Sequence, residues 1–193
     1  MRLSIVGSLL LFAPPMLAQG GFPTAATNIT MPQGDHEIVL PLRSGGFGER
    51  HAFPPIRDWK SLRIEFVRTP CYGSCPAYSV VVSGDGTVRY QGDYCVIAKG
   101  ARVAHLPQKD VRALFEAFQR ADFFSLRPIY DTGITDNSGV TMVLHFDQWN
   151  WSVDDRQETT GLPVEASKLP DLIDKFAGTA RWVAFPDKDC RRQ

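Results

Sequence analysis

An excess of charge of one sign is missing from this sequence: 193 residues carry 21 Lys+Arg against 21 Asp+Glu, and no five like charges stand in a row. A chain without a basic stretch lacks the electrostatic footprint that nucleic acids and anionic lipid surfaces require, so no nucleic-acid partner is expected. Histidine is scarce. His36, His51, His105 and His145 never fall at H-x-x-x-H spacing, and no serine sits in G-x-S-x-G, so the common zinc-hydrolase and serine-hydrolase signatures are absent. Internal repeats and low-complexity tracts are lacking too, and no apolar run reaches the ~20 residues that span a bilayer. What is present, 44% hydrophobic and 22% charged residues, is the composition of an ordinary globular domain.

The first charged residue, Arg2, precedes an uncharged and mostly apolar stretch from Leu3 to Leu17, followed by Ala18, Gln19 and Gly20. This pattern predicts a secretory signal peptide over residues 1–18, and Pro14 and Pro15 argue against a retained membrane anchor. The expected location is therefore outside the cytoplasm, periplasmic or extracellular, with no membrane span after cleavage. Export changes the meaning of Cys71, Cys75, Cys95 and Cys190, because an even cysteine count in an oxidising compartment predicts disulfides. On a straight strand, Cys71 and Cys75 would stand roughly 13 Å apart, whereas a bridge needs Cα atoms within about 7 Å. The chain must turn between them, and Pro70, Gly73, Ser74 and Pro76 supply that turn. The favoured pairing is Cys71 with Cys75, leaving Cys95 for Cys190. In the loop-entropy picture the short bridge stabilises by about 2 kcal/mol and the long one by about 4.7 kcal/mol.

From Gln19 to residue 58 the chain is rich in Gly, Pro, Thr and Asn, with one apolar run at Ile38–Leu42, and reads as a flexible leader with one edge strand. A single domain is expected over 59–185, with a tail at 186–193. Leu62, Ile64 and Phe66 alternate with charged residues, as Tyr78, Val80 and Val82 alternate with polar ones. This is the period of a half-buried strand. Ser83-Gly84-Asp85-Gly86 forms a hairpin turn, Thr87 to Gln91 returns, and Ala101 to Leu106 is a fourth strand. Val111, Leu114, Phe115 and Phe118 fall on one face of a helix that Pro107 suits as a starting residue. After a loop from Tyr130 to Gly139, Val140–Phe146 and Trp149–Val153 make a second hairpin. Leu169, Leu172, Ile173, Phe176, Ala180 and Val183 then form a closing helical stripe. The order β-β-β-β-α-β-β-α predicts an α+β fold: one antiparallel sheet of five to six strands with two helices packed on one face.

The densest segment runs Arg68-Thr69-Pro70-Cys71-Tyr72-Gly73-Ser74-Cys75-Pro76-Ala77-Tyr78, followed by Asp85, Gly86, Val88, Tyr90 and Gly92. It resembles the secreted bacterial family catalogued as domain of unknown function 6438, whose hallmark is an Arg-Thr, C-x-G-x-C-P-x-Y, strand, D-G-x-V, Tyr, Gly series. The resemblance extends more loosely over residues 60–184. It implies no activity. Cys95 and Cys190 lie outside that series, so their pairing rests on this chain alone.

A competing reading sets Cys71 and Cys75 beside the C-x-x-x-C-P site of thioredoxin-like copper chaperones, with His105 or His145 completing a copper site. Thiolates and imidazole suit copper, and a thiol-disulfide protein would use the same pair. The discriminating feature is the element into which Cys75 leads: a helix would lower the thiol pKa, whereas Tyr78–Val82 has the pattern of a strand. Asp131-Thr132-Gly133 carries the tripeptide of aspartic proteases in a single copy, and Asp131 with Asp136 lacks the alternation of a calcium loop; an Asx turn is the plainer reading. Trp149 and Trp151 share one strand face that could stack on a sugar or a partner, although core packing explains them as well. No nucleophile, base and orienter stand at recognisable spacing. The chain therefore reads as a monomeric, non-enzymatic, cofactor-free module of the cell envelope that binds another envelope protein or a small ligand. Its candidate surface is Arg68, Tyr72 and Tyr78 beside the cysteine turn.

Overall fold

The computed structural model describes residues 52–131, 133, 136–156, 161–183 and 190. The predicted signal segment, the Ile38–Leu42 run, His36 and His51 lie outside the described residues. Seven strands form one sheet: β1 Arg63–Arg68, β2 Ala77–Ser83, β3 Thr87–Tyr94, β4 Gly100–His105, β5 Ile129–Tyr130, β6 Val140–Phe146 and β7 Trp149–Asp155. Their spatial order is β4-β3-β2-β1-β6-β7-β5, which puts β1 between the two hairpins. The helices are α1 Gln108–Arg120, α2 Val164–Ser167, α3 Leu169–Ala177 and α4 Ala180–Val183.

Period-two patterning decides which way the sheet faces. Ile64 pairs with Val82 and with Leu144, and Phe66 with Val80 and with Met142. Directly paired residues share a face, so these buried side chains form one apolar surface. Val111, Leu114, Phe115 and Phe118 of α1, with Leu169, Ile173 and Ala177 of α3, belong to the same buried cluster. Each fully buried Leu, Ile or Phe stabilises by about 1.5–3 kcal/mol, so the shared face dominates the energetics. The predicted class is the observed one.

Three details differ from the sequence expectation. The sheet has a seventh strand, β5, which begins before the predicted loop and pairs with β7 in parallel, making the sheet mixed. Two residues carry no readable alternation. The closing stripe is not one helix: Gly178 adopts φ 67° and ends α3 before α4 begins, as a left-handed C-cap does. The packed core also starts upstream of Trp59, because the Phe53 ring meets Phe115 at 5.6 Å and Phe124 at 5.0 Å. Asp147, in the β6–β7 turn, anchors that approach by accepting the Arg57 amide at 2.8 Å and the Asp58 amide at 3.1 Å. These amide hydrogen bonds hold its carboxyl below the usual range.

Candidate functional site

The motif begins where β1 leaves the sheet. Thr69 closes a reciprocal clamp on the segment before β6: its amide donates to the Gly139 carbonyl at 2.9 Å, and its hydroxyl accepts the Gly139 amide at 2.8 Å. Three residues on, the Tyr72 amide donates to the Asp136 carbonyl at 3.0 Å. Cys71 and Cys75 are bonded across the turn with Cα atoms 5.4 Å apart. The Tyr94 hydroxyl donates to the Gly73 carbonyl at 3.3 Å. The turn is thus tied to β3, to the 136–139 segment and to itself. After Cys75 the chain passes through Pro76 into β2, so the cysteines do not open a helix. Cys95 and Cys190 are bonded as well, with Cα atoms 5.1 Å apart.

Of the three candidate surface residues, only Tyr72 stands in solvent, 91% exposed. Arg68 and Tyr78 point the other way. They continue the inward rows Ile64, Phe66, Arg68 and Val82, Val80, Tyr78, and they pair directly across β1 and β2. A charge at a core-facing position needs a partner, and α3 supplies it. Arg68 Nη2 lies 3.0 Å from Asp174 Oδ2, and the Tyr78 hydroxyl donates to the same carboxylate, 2.7 Å from each oxygen. Arg68 Nε donates back to the Tyr78 oxygen at 3.2 Å, and the buried Thr179 hydroxyl donates to Asp174 Oδ1 at 2.7 Å. The Arg68 guanidinium also sits 5.3 Å from the centre of the Phe66 ring.

Chemically, this network is closed. Burial first and the Asp174 carboxylate second push the Tyr78 phenol far above its ordinary value, and Arg68 offsets them only in part. At neutral pH the phenol stays protonated and donates to Asp174, an arrangement that joins the sheet to α3 and supplies neither nucleophile nor base. Tyr90, whose ring lies tilted against Trp182 at 4.8 Å, is also pushed up to about 12 by burial. Its buried hydroxyl has no hydrogen-bond partner among the described residues.

The later motif residues serve the hairpin. Asp85 Oδ1 accepts the Thr87 amide at 2.8 Å, which lowers the Asp85 carboxyl below its ordinary value. Gly86 adopts φ 88°, and its carbonyl accepts the Leu106 amide at 2.7 Å. Val88 and Tyr90 are core residues. A side chain at Gly92 would collide with the Ala98 carbonyl.

The copper set is not brought together. His105 pairs with Thr87 and His145 with Arg63, whereas the cysteine turn lies beyond Arg68, about 16 Å away along β1 at ~3.3 Å per residue. Asp131 forms the Asx turn, accepting the Gly133 amide at 2.8 Å, and Arg156 bridges its carboxylate at 3.0 Å to that of Asp154 at 3.1 Å. Trp149 and Trp151 pair with Phe146 and Leu144 and pack against the core from the inner face. Among the described residues no three His, Cys, Asp or Glu side chains are grouped to hold a metal, and no helix is long and apolar enough to cross a membrane. Asp174 and Thr179 escaped the sequence reading, although a signal existed: Arg68 at an inward parity demands a carboxylate.

These features define a class: a disulfide-stapled α+β domain whose motif braces a turn and a sheet–helix joint. The family model described as Domain of unknown function (DUF6438) matches residues 62–177, more than half of the chain, and the protein belongs to that family. No curated protein matches the chain.

Proposed function

We propose that the chain is an exported, non-enzymatic binding or accessory module of the cell envelope, presenting Tyr72 on a turn that its disulfide and backbone clamps hold rigid. The observation that carries this reading is the contrast at the motif. Arg68, Tyr78 and Asp174 satisfy one another, and the Tyr72 ring is left in water where a phenol can make both apolar and hydrogen-bonded contact. Both disulfides suit a compartment outside the cytoplasm, and the apolar stretch after Arg2 supplies the route there.

The test is intact mass with thiol alkylation on protein recovered from an oxidising compartment, with copper content measured on the same sample. Expected are loss of the first eighteen residues, no alkylation and no copper in the native state, and reduction only after unfolding. Native alkylation of Cys71 and Cys75 under mild reductant, or stoichiometric copper, would overturn the reading in favour of a thiol-disulfide or copper protein.

A further inference from the structure

The two edges of the sheet end differently. β5 is two residues long, whereas β4 offers six, and among the described residues no strand lies on its outer side. The Leu106 amide donates inward to Gly86, and hydrogen-bonding direction alternates along an antiparallel strand, so the peptide groups of Ala101, Val103 and His105 face outward. The Arg102 guanidinium covers the Ala101 carbonyl at 2.7 Å. The outward groups of Val103 and His105 have no partner among the described residues.

Two further observations converge on this edge. Val103 is 70% exposed and Ile97, in the connection from β3, 55% exposed; Tyr94 and Tyr72 are exposed as well, at the cysteine turn to which the Tyr94 hydroxyl is hydrogen-bonded. These are four of the six large apolar side chains exposed among the described residues. Residues 95–105 also contain Lys99, Arg102 and His105 and no carboxylate, and Arg89 lies directly opposite Val103 on the outer face. The nearest acids by sequence are Asp93 and Asp110, and Asp85, which lies near His105, has one oxygen committed to Thr87.

We propose that β4 accepts an extended acidic segment of another polypeptide by strand addition, its carboxylates meeting Arg102 and Lys99 and its apolar side chains lying over Val103 and Ile97. A second copy fits poorly, because antiparallel self-pairing sets this cationic strand against itself. The inference rests on the binding-module reading and names the partner's chemistry.

The probe is a capped heptapeptide of alternating Val and Glu, with its Val/Lys counterpart as the control, titrated into the nitrogen-15-labelled oxidised chain. The Glu peptide is expected to shift the amides of Ala101, Val103 and His105, to slow exchange of the Val103 amide, and to bind at least tenfold more tightly than the Lys peptide. Val103→Pro removes an amide that the β3 ladder does not use and abolishes the shifts; Arg102→Glu, which leaves every backbone donor in place, weakens binding at least fivefold. Absence of β4 shifts, equal binding of both peptides, full binding by Arg102→Glu, or concentration-dependent pairing of the chain through β4 would overturn the proposal. If β4 stays silent while Cys71 and Cys75 remain inert in the native state, the strand-addition proposal alone fails. If those cysteines react, the binding-module reading fails as well.

Discussion

The covered face of the sheet is held at its two ends by opposite chemistries. At the β6–β7 turn end, Phe146 meets Phe115 at 5.1 Å and Phe124 at 5.8 Å, and Phe53 joins them from outside the sheet. At the cysteine-turn end, Arg68, Tyr78, Asp174 and Thr179 exchange hydrogen bonds. Aromatic contacts stabilise in proportion to area and tolerate several orientations. The polar network stabilises only when every member is present, because losing one strands the others away from water. The aromatic end therefore supplies bulk stability, and the polar end selects the position of α3.

The largest expected effect is at the aromatic end. Phe146→Ala should destabilise by about 3–5 kcal/mol, seen as a lower urea midpoint at unchanged slope; a loss below that of any polar-end variant would reverse the comparison. Asp174→Ala should cost about 2 kcal/mol, discounted because both charges keep some solvent contact. Replacing Arg68 by Met in the same chain should recover part of the loss, since no unpaired charge remains; a further drop would show that the guanidinium has an essential partner besides Asp174.

Tyr78→Phe should cost about 1 kcal/mol at neutral pH. Its sharper signature is alkaline. An unfolded tyrosine ionises near pH ~10, whereas burial holds folded Tyr78 well above that and Tyr90 at about 12. The folded chain therefore keeps protons that the unfolded chain loses. This contribution is fully present below pH ~10 and is lost as pH climbs through the folded values. Urea midpoints should fall less steeply above pH ~10 in Tyr78→Phe than in the parent, and identical slopes would refute the assignment. The smallest expected effect is the coupling between ends: Phe146→Ala combined with Asp174→Ala should be additive within about 0.5 kcal/mol, since the sites are a strand length apart. A larger coupling energy would show that the core responds as one unit.

The strands at Ile64, Val80, Val88 and Met142 and the helix through Leu114 and Phe118 were legible because their apolar residues repeat at two or at three to four, whatever else surrounds them. The cysteine turn was legible because four residues leave only one short-range way to close. Arg68 and Tyr78 were legible as a pair but not as a buried one. Their burial depends on Asp174, 106 residues after Arg68 and 96 after Tyr78, and nothing local announces that α3 docks at that end. The β5 strand was hidden because two residues have no period.

Composition and spacing alone determined the class: an α+β domain in which turn residues, alternation and a helical stripe all serve one apolar face. Those signals are local, and each acts within a few residues of itself. The tertiary structure alone decided the rest: β1 at the centre of the sheet, a carboxylate from α3 closing on Arg68 and Tyr78, Tyr72 facing water and β4 with no strand on its outer side among the described residues. Each of these depends on which distant segments meet. Side-chain periodicity states that a strand has a buried face, but the identity of its neighbour is settled by packing and charge pairing across the whole chain.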